Sequence, residues 1–342
     1  MENSMSRILV QMTVKNALES IKEDPERGVR NLVDMALQFS NGRFQPYFFS
    51  TMQTMLQNEK SSYYNLIRNV VSRTDTERLY TFGMNLGYNG CTIGAGRIRD
   101  NEQKLGCNIP WTISVQIDAE RFEEKENRYQ TMLREGEKLG IYTWMLFCME
   151  QPWKALNLAD KHPDSAFCLF CNPEDITSRF LDEASGYNNL MLVLRYDETS
   201  AGKYTLLRKR GMLYSVWYQY NQKDMEAIIN GDLFYSAGQI YPAFTALIPE
   251  QGCADEIRQL VFQTVTQHRK EQIYSTILWD FYGDNRFIDT IISNDACSVC
   301  FDKTGSLYCW DGVPAPGRHN LFQSELTDIL TSVYPKNQEA AE

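Results

Sequence analysis

The sequence predicts an α/β fold of the (β/α) TIM-type barrel kind, and three observations predict it. From residue 79 onward, short apolar runs alternate with amphipathic helical stretches. Most of those runs are continuous rather than alternating, as expected of parallel strands covered on both faces. No Pro/Gly/Ser-rich linker divides residues 79–296, so the alternation belongs to one domain. A hydrophobic fraction of 43% suffices for a large core.

Residues 1–78 are expected to form a helical layer. Asp24-Pro25-Glu26 supplies an N-cap, a proline at the first helical position and an early carboxylate. Val29, Leu32, Val33 and Ala36 then repeat at i, i+3, i+4 and i+7, one buried helix face. Residues 47–56 and 63–71 continue in the same style. Eight strands are expected next, over 79–86, 112–117, 142–148, 166–171, 190–196, 214–220, 243–248 and 276–281. The stretches 126–139 and 256–270 carry helical stripes, and Gly140 stands where a C-cap glycine belongs. Residues 297–342 form a small cysteine-bearing appendage and tail after the barrel of 79–296.

Charge narrows the partners. The chain has 34 Lys and Arg against 44 Asp and Glu, a net charge of −10. That balance argues against nucleic acid or an anionic membrane surface and leaves a peptide, a protein or a small anionic ligand. No run of about 18 apolar residues is present, and the N-terminus lacks a cationic region followed by an apolar core. Nine cysteines, an odd number in a chain this long, point to reduced thiols and a cytoplasmic setting. Three histidines, at 162, 268 and 319, do not suffice for a His-rich metal centre.

In a (β/α) barrel the working face lies at the C-terminal ends of the strands. After the strand expected at 79–86 comes the segment Asn85 to Arg99, with glycines at 87, 90, 94 and 96 and the cations Arg97 and Arg99. It is either a surface loop with turn glycines or an anion-facing loop whose amides and guanidiniums hold a carboxylate or phosphate. On the second reading Asn85, Gly94, Gly96, Arg97 and Arg99 line a ligand mouth, joined by Asp118 and Arg195 at later strand ends. Glu150 and Asp280, at other strand ends, form an alternative acid–base pair for a hydrolase or glycosidase. No Gly-x-Ser-x-Gly elbow, His-x-x-x-His pair or Walker phosphate loop occurs.

The cysteines divide by position. Cys168 and Cys171 share a predicted strand, where alternation separates their side chains, and read as buried apolar thiols. Cys297-Ser-Val-Cys300 is followed by a turn at Gly305 and by Cys309. These three are either free thiols of a strand pair or ligands for zinc or an iron–sulfur cluster, with His319 or a solvent species as the fourth ligand.

This last segment, running on through His319-Asn-Leu-Phe-Gln-Ser-Glu-Leu-Thr-Asp-Ile-Leu330, resembles the SPASM extension of radical SAM enzymes. With the preceding barrel, the resemblance covers roughly residues 79–330. It implies a radical-SAM-like barrel, S-adenosylmethionine and iron–sulfur chemistry. The chain departs from the family where that chemistry begins. The family's Cys-x-x-x-Cys-x-x-Cys is absent from the first-strand segment, which holds Cys91 alone. Ile117-Asp118-Ala119-Glu120 stands where a Gly-Gly-Glu signature belongs, and the later auxiliary-cluster cysteines are missing too. One thiolate does not hold a cubane cluster. The expectation is therefore a barrel with no catalytic cofactor, acting as a binding or accessory protein for a peptide or small anionic ligand. The alternatives are the cluster-free hydrolase or glycosidase and an iron–sulfur protein using only Cys297, Cys300 and Cys309.

Overall fold

A computed structural model of the chain describes residues 2–38, 40, 44–309, 314, 315, 317 and 319–336, without the side chains of 2–6, 44 and 309. The chain forms two compact units, Met1–Met84 with Ile176–Phe281, and Asn85–Asp175 with Tyr282–Glu342.

The first unit opens with five helices: α1 (Glu2–Glu23), α2 (Pro25–Gln38), α3 (Phe44–Met55), α4 (Tyr63–Arg73) and α5 (Thr76–Gly83). Asp24 caps α2 as its sequence predicts, accepting from the Arg27 amide at 3.1 Å. Ile21, Val29, Val33, Leu56, Tyr64 and Val71 form a core among these helices. At Gly28 a Cβ would lie 2.7 Å from the Ile21 backbone, so α1 and α2 cross where only glycine fits.

The strand expected at 79–86 is a helix. Asp75 accepts from the Arg78 amide at 3.0 Å and starts α5, and a π-helix (Met84–Gly94) and α6 (Ala95–Leu105) follow. Phe82, Asn85 and Asn89 are buried at helical spacing, which an apolar run seen as a strand conceals. Asn85 to Arg99 is therefore not a loop but the second half of a helical run.

Strands and helices then alternate: β1 (Thr112–Gln116), α7 (Phe122–Leu139), β2 (Thr143–Phe147), α8 (Leu156–Asp160), β3 (Ala166–Cys171), α9 (Ser178–Ala184), β4 (Leu190–Arg195) and α10 (Ala201–Lys209). The order continues with β5 (Tyr214–Tyr220), α11 (Met225–Ile229), α12 (Asp232–Gly238), β6 (Phe244–Pro249), α13 (Asp255–Glu271), β7 (Ile277–Asp280) and α14 (Phe281–Ser293). β8 (Val299–Phe301), β9 (Leu307–Cys309) and α15 (Leu326–Val333) close the described chain. The seven later expected strands are β1–β7, and the fold class is α/β as predicted.

In the first unit, β4 to β7 pair in parallel, with Arg195 beside Trp217, Trp217 beside Ala246, and Ala246 beside Trp279. Tyr220, Leu247 and Leu278 pack with Ile228, Phe234, Val261 and Val265 of the covering helices. In the second unit, β1, β2 and β3 pair in parallel, with Ser114 beside Met145 and Met145 beside Cys168. The α7 helix lies on this sheet through Gly136, where a Cβ would stand 2.4 Å from the Trp144 ring. β8 runs parallel to β1, Ile113 beside Val299, and turns back antiparallel into β9. The last of the parallel strands, β8, thus lies beside the first, with β9 at the sheet edge. Among the described residues no helix is long and apolar enough to cross a membrane.

Candidate functional site

A cleft of about 560 Å³ opens in the second unit at the C-terminal ends of β1, β2 and β8. One wall comes from the segment after β1 and the start of α7: Asp118, Glu120, Arg121, Glu124, Lys125 and Arg128. Glu150 enters after β2, and Lys303 and Thr304 come from the turn between β8 and β9. Asn320, Phe322 and Gln323 complete the lining.

The β8–β9 turn is held from several directions. Asp302 Oδ1 accepts from the Thr304 amide at 2.8 Å, the Thr304 hydroxyl at 2.7 Å and the Ser306 amide at 2.9 Å. Gly305 sits at φ +82°, where a Cβ would come within 2.5 Å of the Phe322 ring. Asn320 Nδ2 donates to the Thr304 carbonyl at 2.9 Å. Lys303 thus projects from a rigid tip. Opposite it, Arg128 donates to the Leu321 and Ser324 carbonyls at 3.1 and 3.0 Å and steadies the 320–324 turn.

Three ion pairs line the cleft; Arg121–Glu124, at 3.0 Å, is a solvated pair within one turn of chain, and the other two differ in kind. Lys125 Nζ donates to Asp118 Oδ2 at 2.8 Å and to the Lys303 carbonyl at 3.0 Å, and lies 4.4 Å from the centre of the Phe322 ring. Its side chain is 12% exposed and that of Asp118 17%. Partial burial opposes ionisation of Asp118, but the Lys125 bond, the Arg121 amide and the two nearby cations outweigh it and hold the carboxyl below its ordinary range. Lys303 and Glu150 stand 3.6 Å apart with side chains 47% and 58% exposed. The Asp118–Lys125 pair is part of the framework, and the Lys303–Glu150 pair is solvated and separable.

Of the sequence-predicted residues, Asp118 and Glu150 come together here. The others are placed elsewhere. Asn85 is buried, donates to the Pro163 and Ser165 carbonyls at 2.7 and 3.0 Å, and accepts from Asn89 at 3.0 Å. Gly94 meets Gly140 backbone to backbone, and a Cβ on Gly94 would lie 2.4 Å from the Gly140 carbonyl oxygen. Gly96 is in the first turn of α6, Arg97 donates to the Tyr142 hydroxyl, and Arg99 is half-buried on the same helix. Arg195 ends β4 in the first unit, its guanidinium 5.9 Å from the centre of the Trp217 ring. Asp280 ends β7, buried, in the first unit, whereas Glu150 belongs to the second. Sequence reasoning missed Arg121, Lys125, Arg128, Lys303 and Phe322. The charged run directly after β1 was a usable signal for the first three.

The cysteines are mostly internal. Cys168 and Cys171 are buried in β3, and burial pushes the Cys168 thiol up to about 12. Cys297 is fully buried, and burial together with the Asp289 carboxylate pushes its thiol well up. Burial also raises Cys300, to about 12. The β8–β9 register sets Cys300 opposite Tyr308 and Cys309 opposite Val299. The Cys309 side chain lies outside the described residues. Among the described residues, no group of three or more His, Cys, Asp or Glu side chains is arranged to hold a metal ion. The catalytic cluster implied by the family resemblance does not fit residues 85–99. Cys91 is their one thiol, set in the π-helix, where burial raises it to about 12.

No protein-family model and no curated protein matches the chain. Among solved structures it is similar to Streptococcus suis SuiB bound to S-adenosylmethionine, with TM-score 0.49 and 11% identity over 69% of this chain and 67% of that one. Another similar structure, SuiB bound to the precursor peptide SuiA, has TM-score 0.47 and 10% identity over 69% and 68%.

Proposed function

We propose that the chain is a radical-SAM-like binding or accessory protein without a catalytic cluster, holding a peptide or small anionic ligand in the cleft at the ends of β1, β2 and β8. The observation that carries this reading is the cleft itself. It is roomy, lies where (β/α) folds place their ligands, and is lined by polar and charged side chains rather than thiols. Lys303, on its rigid turn, supplies an exposed cation for a ligand carboxylate, with Thr304 and Asn320 beside it as neutral partners. Lys125 and Asp118 set the shape of the wall, and Phe322 gives the floor an aromatic face.

A panel of immobilised short peptides of defined charge, probed with the whole chain, tests the reading. Retention lost in Lys303→Glu and kept in Arg99→Ala supports the cleft. Retention that survives Lys303→Glu and disappears in Arg99→Ala returns the site to residues 85–99.

A further inference from the structure

We infer that the cleft takes a dipolar ligand, a peptide segment carrying one carboxylate and one ammonium group, and that this ligand binds by splitting the Lys303–Glu150 pair. The inference rests on the proposed function and names the chemistry of its ligand. Three observations lead to it. Four carboxylates, Asp118, Glu120, Glu124 and Glu150, face four cations, Arg121, Lys125, Arg128 and Lys303, around one opening, although the chain as a whole carries −10. A ligand of one sign therefore meets as much repulsion as attraction, whereas a ligand with both signs has a partner for each.

The second observation is the contrast between the pairs. Lys125 is committed three times, to Asp118, to the Lys303 carbonyl and to the Phe322 ring. Arg128 is committed to two carbonyls. Lys303 and Glu150 meet only at 3.6 Å, and both are about half exposed. Separating them costs little because water already solvates both groups. Arg121 and Glu124 are also exposed but are hydrogen-bonded to each other at 3.0 Å within one turn of chain, whereas Lys303 and Glu150, from different strand ends, are the loosest cation–anion pair of the cleft.

The third observation is where the two groups are mounted. Lys303 stands on a turn fixed by three hydrogen bonds to Asp302 Oδ1, and Glu150 follows β2. Their backbones are set before any ligand arrives, so charge separation in the ligand becomes a selection rule. The ligand carboxylate takes the Lys303 ammonium and the ligand ammonium takes the Glu150 carboxylate. The protein pair is replaced by two protein–ligand pairs, and no net charge is buried.

The experiment is calorimetric titration of the whole chain with three end-blocked dipeptides, Lys-Glu, Glu-Glu and Lys-Lys, repeated on Lys303→Ala and Glu150→Gln. Lys-Glu is expected to bind at least about tenfold more tightly than either like-charged probe. Each variant is expected to lose about tenfold in affinity for it, one charge-assisted hydrogen bond apiece. Circular dichroism checks that both variants keep the fold. If Glu-Glu binds as tightly as Lys-Glu and Glu150→Gln leaves both unchanged, the dipolar inference is overturned while the cleft reading stands. If all three probes bind equally and neither variant alters them, both are overturned.

Discussion

Two stretches of the second unit, 85–99 and 118–128, look alike in sequence, each rich in polar and charged residues next to an apolar run. The structure uses them in opposite ways. In the first, Asn85 is consumed by the 163–165 carbonyls and Gly94 by the Gly140 backbone, while Arg97, on the exposed side of the helix, donates to the Tyr142 hydroxyl. In the second, the same kinds of side chain open onto a cleft: Asp118–Lys125 and Arg128 are tied into the wall, while Arg121 and Glu124 pair in solvent at 3.0 Å. The lesson is that ligand-facing polarity is a property of position. A helical run turned into the fold spends its polar groups on structure, and a strand end keeps them available.

Variants of the first stretch should therefore cost stability, and variants of the cleft rim should not. The largest effect is expected for Gly94→Val. Its side chain has no room against the Gly140 carbonyl, and the loss is about 3 kcal/mol or more by urea denaturation. A loss under about 1 kcal/mol would mean that the two helices are not packed this closely. Next comes Asn85→Leu, which strips the donor from two buried carbonyls and should cost about 2–3 kcal/mol. A neutral result would restore Asn85 as a candidate ligand residue.

A third variant probes the framework through pH. Asp289 on α14 is fully buried and accepts from the Trp111 amide at 3.0 Å and the Ser298 hydroxyl at 2.7 Å, joining the entries of β1 and β8. Burial pushes its carboxyl up to about 7, against the lowering effect of those hydrogen bonds. The folded chain keeps this proton up to about pH 7, while the unfolded chain releases it near 3.8. The resulting stability is complete below the lower value and is lost as pH rises through the upper one. Asp289→Asn should remove a decline of roughly 2 kcal/mol between pH 5 and 8. An unchanged slope in denaturation at those two pH values would show that Asp289 is not the group responsible.

The smallest effect is expected at the rim. Lys303→Ala and Glu150→Ala should each change stability by less than about 1 kcal/mol, since both side chains are half solvated. Losses of 3 kcal/mol in thermal or chemical unfolding would place this pair in the framework after all.

The same contrast explains what the sequence disclosed. The strands β1 to β7 were legible because buried parallel strands are written as uninterrupted apolar runs. The run at 79–86 is equally apolar and misleads, since Asp75-Thr76-Glu77, a helix start, lies just upstream of it. The rule that strand ends carry the site singled out Asp118 as a ligand residue and Glu150 in the alternative acid–base pair, and both line the proposed cleft. Lys303 and Phe322 were not, because β8 spans only Val299–Phe301 and its place beside β1 is a tertiary fact with no local pattern. The spacing of Cys297, Cys300 and Cys309 was legible as a hairpin, but spacing alone does not reveal that the register sets Cys300 opposite Tyr308.

The most direct test of the central claim is a map of backbone amide chemical shifts on adding the end-blocked Lys-Glu dipeptide to the whole chain. Shifts confined to residues 118–128, 150 and 303–323 are the predicted result. Shifts centred on residues 85–99, with Lys303 and Glu150 unmoved, would contradict it.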